Sequence, residues 1–180
     1  MRASMAGVGL ALLLSLAGPA AAQTPPDGIV WLALAEINGA RVHADDPTRH
    51  PPLAAAPPSG MITAVDLSPD GRPDWLVDYE AAGDARWCGT GGCRKQLFVS
   101  HDDGYVRALD AQALGLTLTG VGEGRRLEAR VHHLYCVDDR GDCLYAYAWD
   151  AEAGRLALQP GPSVPAAAAD RFTPLPSARE

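Results

Sequence analysis

Between Met61 and about Gln159 the chain is cut into short runs rich in Val, Leu, Tyr and Trp, separated by Gly and Asp turns every eight to fifteen residues. Apolar and polar positions that alternate over such short runs fit strands with one buried face, and turn residues at this interval fit antiparallel pairing. The runs read as strands are Met61 to Asp66, Asp74 to Glu80, Gln96 to His101, Tyr105 to Asp110, Leu114 to Val121, Arg126 to Val137, Cys143 to Asp150 and Leu156 to Gln159. In the sixth, Leu127, Ala129, Val131, His133 and Tyr135 fall on one face. In the seventh, Tyr145, Tyr147 and Trp149 do the same, so these two strands are expected to pair with an aromatic side toward the core. The predicted fold class is mainly β: an antiparallel meander or a small two-sheet sandwich over residues 61–159.

The flanking regions carry weaker patterns. Residues 23–60 form a Pro-rich N-terminal segment, with Pro25-Pro26 at its start and five further prolines between Pro47 and Pro58. Most of it reads as loop. Inside it, Ile29, Leu32, Ala33 and Ile37 follow helical spacing, while Asn38-Gly39 is equally a hairpin turn, so a short N-terminal helix or hairpin is expected. Residues 160–180 hold Pro, Ala, Ser and charge without periodicity and are expected to be a disordered tail. Residues 1–22 place Arg2 before an apolar run, Val8 to Leu16, and end in small residues through Ala22, the order of a secretory signal peptide. The expected location is periplasmic or secreted, without a membrane span.

Charge and cysteines sharpen this picture. The net charge of −7 becomes −8 once Arg2 leaves with the leader, which argues against nucleic acid or anionic lipid as a partner. Lys95 is the only lysine, and the arginine bias reads as genomic base composition rather than chemistry. The four cysteines fall in two close pairs, Cys88 with Cys93 and Cys136 with Cys143, and in an oxidising compartment local disulfides are expected. Three connectivities are open from sequence alone. A structural zinc site is the alternative, although the spacings are loose for one.

The segment Asp66-Leu67-Ser68-Pro69-Asp70-Gly71-Arg72-Pro73-Asp74, followed by Trp75-Leu76-Val77, carries oxygen-bearing side chains at loop positions 1, 3, 5 and 9 and a turn Gly at position 6. Arg72, at position 7, would contribute its carbonyl. This spacing wraps a hard cation, so Asp66, Ser68, Asp70, Arg72 and Asp74 are candidate Ca²⁺ ligands. The same residues are turn formers and can also build a metal-free turn. At these positions the segment resembles the calcium loop of FG-GAP and VCBS repeats, with Ser68-Pro69 in place of the usual Asn-Gly. That resemblance implies one calcium loop and not a propeller, because only one copy is present.

Trp87 to Lys95 is a glycine-rich loop that a Cys88–Cys93 bridge would close ahead of a strand. Its Cys-x4-Cys spacing loosely resembles the inhibitory loop of periplasmic Ivy-type lysozyme inhibitors, but it lacks their inserted His. Arg140-Gly141-Asp142 matches an integrin-recognition tripeptide and reads more simply as a tight turn. Ser100-His101-Asp102 is not a triad, since consecutive strand residues face opposite ways. His43 and His50 sit in the Pro-rich stretch, and His132 and His133 are expected to split across a strand. No catalytic residue is assigned. The expected function is binding rather than catalysis: a secreted or periplasmic β domain with one structural calcium loop, presenting loops to an unknown partner, protein or glycan. The alternative is a periplasmic hydrolase inhibitor acting through the Cys88–Cys93 loop.

Overall fold

The computed structural model describes residues 23–42, 52–136 and 141–160. The leader, His43, His50, Arg140 and residues 161–180 of the tail lie outside the described residues. Among the described residues no helix is long and apolar enough to cross a membrane.

The described residues build one α-helix and two antiparallel sheets. The helix α1 (Asp27–Val42) is followed by β1 (Ile62–Val65), β2 (Asp74–Asp78), β3 (Cys88–Gly89), β4 (Gly92–His101), β5 (Gly104–Ala113), β6 (Gly115–Thr119), β7 (Arg126–Val131), β8 (Cys143–Asp150) and β9 (Arg155–Leu158). The first sheet holds β1 to β5, with β2 and β3 both paired to β4 and β5 on its other side. The second is a meander, β6-β7-β8-β9. Every run read as a strand contains one; β3, only two residues long, was too short to register in the pattern.

The residues of the helix explain its placement. Asp27 in the first turn and Arg41 in the last suit the helix dipole, and the Pro26 carbonyl accepts the Ile29 and Val30 N–H groups. Ile29, Ala33 and Ile37 form its buried stripe. Asn38 does not turn the chain; its side chain instead bonds both the N–H and the carbonyl of Ala54. The stripe packs on Met61, Trp75, Val77, Tyr79 and Phe98, so one face of the first sheet is covered by the helix. The other face meets the second sheet, where Leu67, Leu97, Val99, Ala108 and Leu109 pack against Leu127, Ala129, Val131, Tyr145, Tyr147 and Leu156. A register shift between β4 and β5 at Leu97/Phe98 lets the neighbours Ala108 and Leu109 both join this core.

One expected strand is shorter than its pattern. Arg126 to Val137 is strand only to Val131, because His132 begins a 3₁₀ turn over His133–Tyr135. Leu127, Ala129 and Val131 are buried as expected, but Tyr135 is 44% exposed and Trp149 on β8 is only half-buried. The rings of His132 and His133 lie 3.9 Å apart instead of on opposite faces, since neither residue is in a strand.

Replacing Ile37, 2% exposed beneath the helix, tests whether α1 belongs to the fold. Ile37→Ala is expected to cost about 2–5 kcal/mol in urea denaturation. A loss under about 0.5 kcal/mol, the range of surface substitutions, would mean that the helix is not docked in solution.

Candidate functional site

Two regions gather polar side chains, one at each end of β4. At its C-terminal end is the loop between β1 and β2. Asp74 is fully buried, and its Oδ2 accepts the Leu67 N–H at 2.6 Å and the Ser68 N–H at 2.7 Å. Its Oδ1 accepts the Ser100 N–H at 2.8 Å and lies 2.9 Å from the Ser100 hydroxyl and 3.2 Å from that of Ser68. The same two hydroxyls reach Asp70 Oδ1, each at 3.0 Å, and lie 2.8 Å from one another. Each hydroxyl has one proton, so two protons serve three alternative acceptors.

The remaining members of the predicted set are engaged elsewhere. Arg72 donates its N–H to Asp70 Oδ1 at 2.9 Å and its Nε to Oδ2 at 3.0 Å. Asp66 is ion-paired with Arg125, which also bonds the Asp66 carbonyl. Gly71, with φ +78°, supplies the turn expected at position 6. Ser68, Asp70 and Asp74 thus converge, joined by Ser100, which the spacing rule could not find because it lies 26 residues beyond Asp74. Calcium takes six to eight oxygens. Asp66 is turned to Arg125 and a guanidinium lies on Asp70, so of the predicted set only Ser68, Asp70 and Asp74 converge, joined into a hydrogen-bonded turn. Among the described residues no group of three or more His, Cys, Asp or Glu side chains is arranged to hold a metal ion.

Burial opposes ionisation of Asp70, but the Arg72 N–H, the Ser100 hydroxyl, the Arg72 guanidinium and the Ser68 hydroxyl outweigh it and hold its pKa down at about 2. Asp84, bonded by Arg86, is likewise lowered to about 2.

At the other end of β4 both expected disulfides form, Cys88–Cys93 and Cys136–Cys143. They are neighbours in space. A side-chain carbon added at Gly91 would come 3.0 Å from the Tyr135 ring and 3.2 Å from Gln112 Oε1, so the tip of the first bridged hairpin lies under the residue that precedes the second bridge. Gly91 is buried there, while Gly89 and Thr90 remain exposed. Gly92, at φ +95°, allows the hairpin to turn against β5; an added carbon would sit 2.1 Å from the Ala113 carbonyl oxygen. Leu134, Tyr135 and Leu144 leave large apolar surface exposed beside the second bridge. Of the tripeptide 140–142, Gly141 and Asp142 are exposed.

Next to the first bridge a groove of about 330 Å³ is lined by Arg86, Trp87, Arg94, Asp110, Ala111 and Gln112. Its floor is a network that holds the helix to the sheet. Arg94 forks onto Asp110 at 2.6 and 2.7 Å and onto Glu36 at 2.8 and 3.3 Å. Gln96 donates to Asp110 at 3.1 Å and to Glu36 at 3.3 Å, and the Tyr79 hydroxyl bonds Glu36. The Arg94 guanidinium also lies over the rings of Tyr79, 5.1 Å, and Trp87, 5.6 Å. Burial raises the pKa of Asp110, but the bonds from Arg94 and Gln96 more than reverse this and leave it lowered. The Asp110 bonds, working against burial, raise that of Arg94.

Ser100, His101 and Asp102 hold no catalytic geometry. Ser100 serves Asp74, whereas His101 packs edge-on to Trp149 at 5.9 Å with its Nε2 3.6 Å from Asp102 Oδ2, because Asp102 is not a strand residue but lies in the β4–β5 turn at φ 46°. No family model, curated protein or solved structure matches the chain.

Two outcomes follow for the β1–β2 loop. Melting curves in about 10 mM Ca²⁺ and in chelator are expected to superimpose, while Asp74→Ala, which orphans three buried N–H groups, costs about 3 kcal/mol or more in either. A calcium-dependent rise of several degrees that Asp70→Ala removes would instead establish a cation site. In acid, the stability held by Asp70 and Asp84 is fully present above their ordinary pKa of 3.8 and is lost as pH falls toward about 2. Urea midpoints measured across that interval should fall, and less steeply in Asp70→Asn.

Proposed function

We propose that this protein is a periplasmic or secreted domain that acts by binding, and that its recognition end is the one where the two disulfide loops meet. The observation that carries this reading is the contact of Gly91 with Tyr135 and Gln112, which joins two bridged loops and the groove into one continuous surface. Bridged loops lose little freedom on binding, and that lowers the entropic cost of holding a partner. Exposed Leu134, Tyr135 and Leu144 give this end apolar contact area, and Tyr is a side chain that interfaces favour. Two disulfides are compatible with an oxidising compartment. The β1–β2 loop acts as internal bracing at the far end. The inhibitor reading is less well supported, because the tip of the Cys88–Cys93 loop is covered at Gly91 and lacks length to enter another enzyme's cleft.

The test is a titration of isotope-labelled protein with size-fractionated, soluble bacterial envelope extract, followed by amide chemical shifts. Shifts are expected to cluster at Gly89 to Gly92, Gln112 and Leu134 to Cys136. Shifts confined to β1 or β9, or conversion of an extract component by the protein, would overturn the reading.

A further inference from the structure

The groove beside Cys88–Cys93 has a lining whose chemistry narrows what it can hold. Two arginines face it, yet neither guanidinium is left as a bare cation. Arg94 is neutralised by Asp110 and Glu36, and Arg86 is paired with Asp84 and bonds the Ala40 carbonyl. An anionic ligand would have to displace those carboxylates, and the chain's net charge of −7 opposes its approach. A cationic ligand would find only Asp110, whose oxygens already serve Arg94 and Gln96.

What remains suits a neutral polar ligand. Gln112 is exposed and offers both an amide donor and a carbonyl acceptor at the groove wall. Trp87, half-buried with its ring 4.6 Å from that of Tyr79, lines the same groove, and beyond the lining the partly exposed Tyr135 ring lies, like Gln112, against Gly91. Arg94 spends four hydrogen bonds on its two carboxylates out of five guanidinium N–H groups, leaving one donor at the groove floor. Aromatic surface flanking a few fixed donors and acceptors, with no uncompensated charge, matches a molecule whose rings show an apolar C–H face and hydroxyl edges. The volume of about 330 Å³ lies at the small end of ligand pockets, which begin near 300 Å³, and so suits a short stretch of chain.

We propose that this groove binds a neutral glycan, with a sugar ring lying on the uncovered part of Trp87, its hydroxyls bonded by Gln112 and Arg94, and the glycan running on past Gly91 toward Tyr135. The proposal rests on the reading of this end of the molecule as the recognition surface. An open groove of this kind holds its ligand weakly, with a dissociation constant on the order of 1 mM.

Calorimetry and amide-shift titration of the full chain would use three probes: a neutral β-1,4-glucan tetramer, a tetramer of N-acetylglucosamine, and tetragalacturonate as the anionic counterpart. At least one neutral tetramer is expected to bind, with shifts at Trp87, Gln112 and Tyr135, and tetragalacturonate is expected to bind at least about tenfold more weakly. Gln112→Ala, at an exposed position outside the core, should raise the dissociation constant about threefold to tenfold. Trp87→Ala should raise it more, and circular dichroism checks that this variant still folds. Absence of binding by both neutral tetramers at about 10 mM, equal binding of the anionic one, or binding indifferent to Gln112→Ala would overturn the proposal. If envelope extract still shifts the same amides while the neutral tetramers do not, the glycan class fails and the recognition surface stands; if neither shifts them, both fail.

Discussion

Strand β4 lies in the middle of three layers, so each of its side chains from Lys95 to Ser100 is buried whether it points to the helix or to the second sheet. Three of those six are polar, and a buried polar group without a partner costs a few kcal/mol. The surrounding structure is organised around meeting that demand. Lys95 reaches Asp78 on the neighbouring strand, Gln96 is held by Glu36, Asp110 and Tyr79, and Ser100 is held by Asp74. Among the described residues no buried side-chain nitrogen or oxygen lacks a hydrogen-bond partner. The helix is therefore fixed by two independent means: an apolar stripe that supplies most of the driving force, and Glu36, whose bonds to Arg94 and Gln96 set its position along the sheet.

The two ends of β4 are secured by different chemistry. At His101 the ties are hydrogen bonds and ion pairs: Asp74 stitches the β1–β2 loop to β4, and Arg125 reaches from the β6–β7 connection to Asp66. Gly154 in the β8–β9 turn, at φ +60°, sits against the His101 ring, where an added carbon would come 3.1 Å from Nε2. At Gly92 the ties are covalent, with one bridge inside each sheet's loop and Tyr135 packed on Gly91 between them. Ten strand residues separate these ends by about 30 Å. Loops braced by disulfides keep their shape while remaining exposed, so the Gly92 end is the one that can be both ordered and accessible.

The strands were legible because alternation and turn residues are local properties. Leu127, Ala129 and Val131 announced a buried face, and Tyr145 and Tyr147 its partner, and the structure pairs Leu127 with Tyr147 and Ala129 with Tyr145. The spacing of Ile29, Ala33 and Ile37 offers a helix but Asn38-Gly39 leaves a hairpin equally open, and the segment's place in the core is not local information, because Trp75, Val77 and Phe98 lie far along the chain. Alternation also runs on past the real end of β7: His133 and Tyr135 keep the period, yet His132, itself still extended at φ −64° and ψ 147°, caps a 3₁₀ turn over His133–Tyr135. The candidate groove left no mark at all. Arg94 and Glu36 are 58 residues apart, and Gln112 and Tyr135 are brought to one place by the fold, each lying against Gly91.

The groove exists because α1 covers only part of its sheet face. Trp75, Val77 and Phe98 lie under the apolar stripe, whereas Arg94 and Gln96 meet the helix through Glu36 at the stripe's polar margin. Beyond that margin the same face of β4 and β5 continues through Arg94, Asp110 and Gln112, which antiparallel pairing places side by side: Arg94 opposite Gln112, and Gln96 opposite Asp110. An apolar residue at these positions would have been left facing water, and a single charge would have been left without a counter-ion at the edge of the core. A guanidinium and an amide sharing one carboxylate solve both problems, since Arg94 and Gln96 both bond Asp110, and the outermost residue, Gln112, faces solvent. The bridge at Cys88–Cys93 then raises Trp87 along one side of this row, turning an uncovered polar face into a walled groove whose unspent hydrogen-bonding groups point outward.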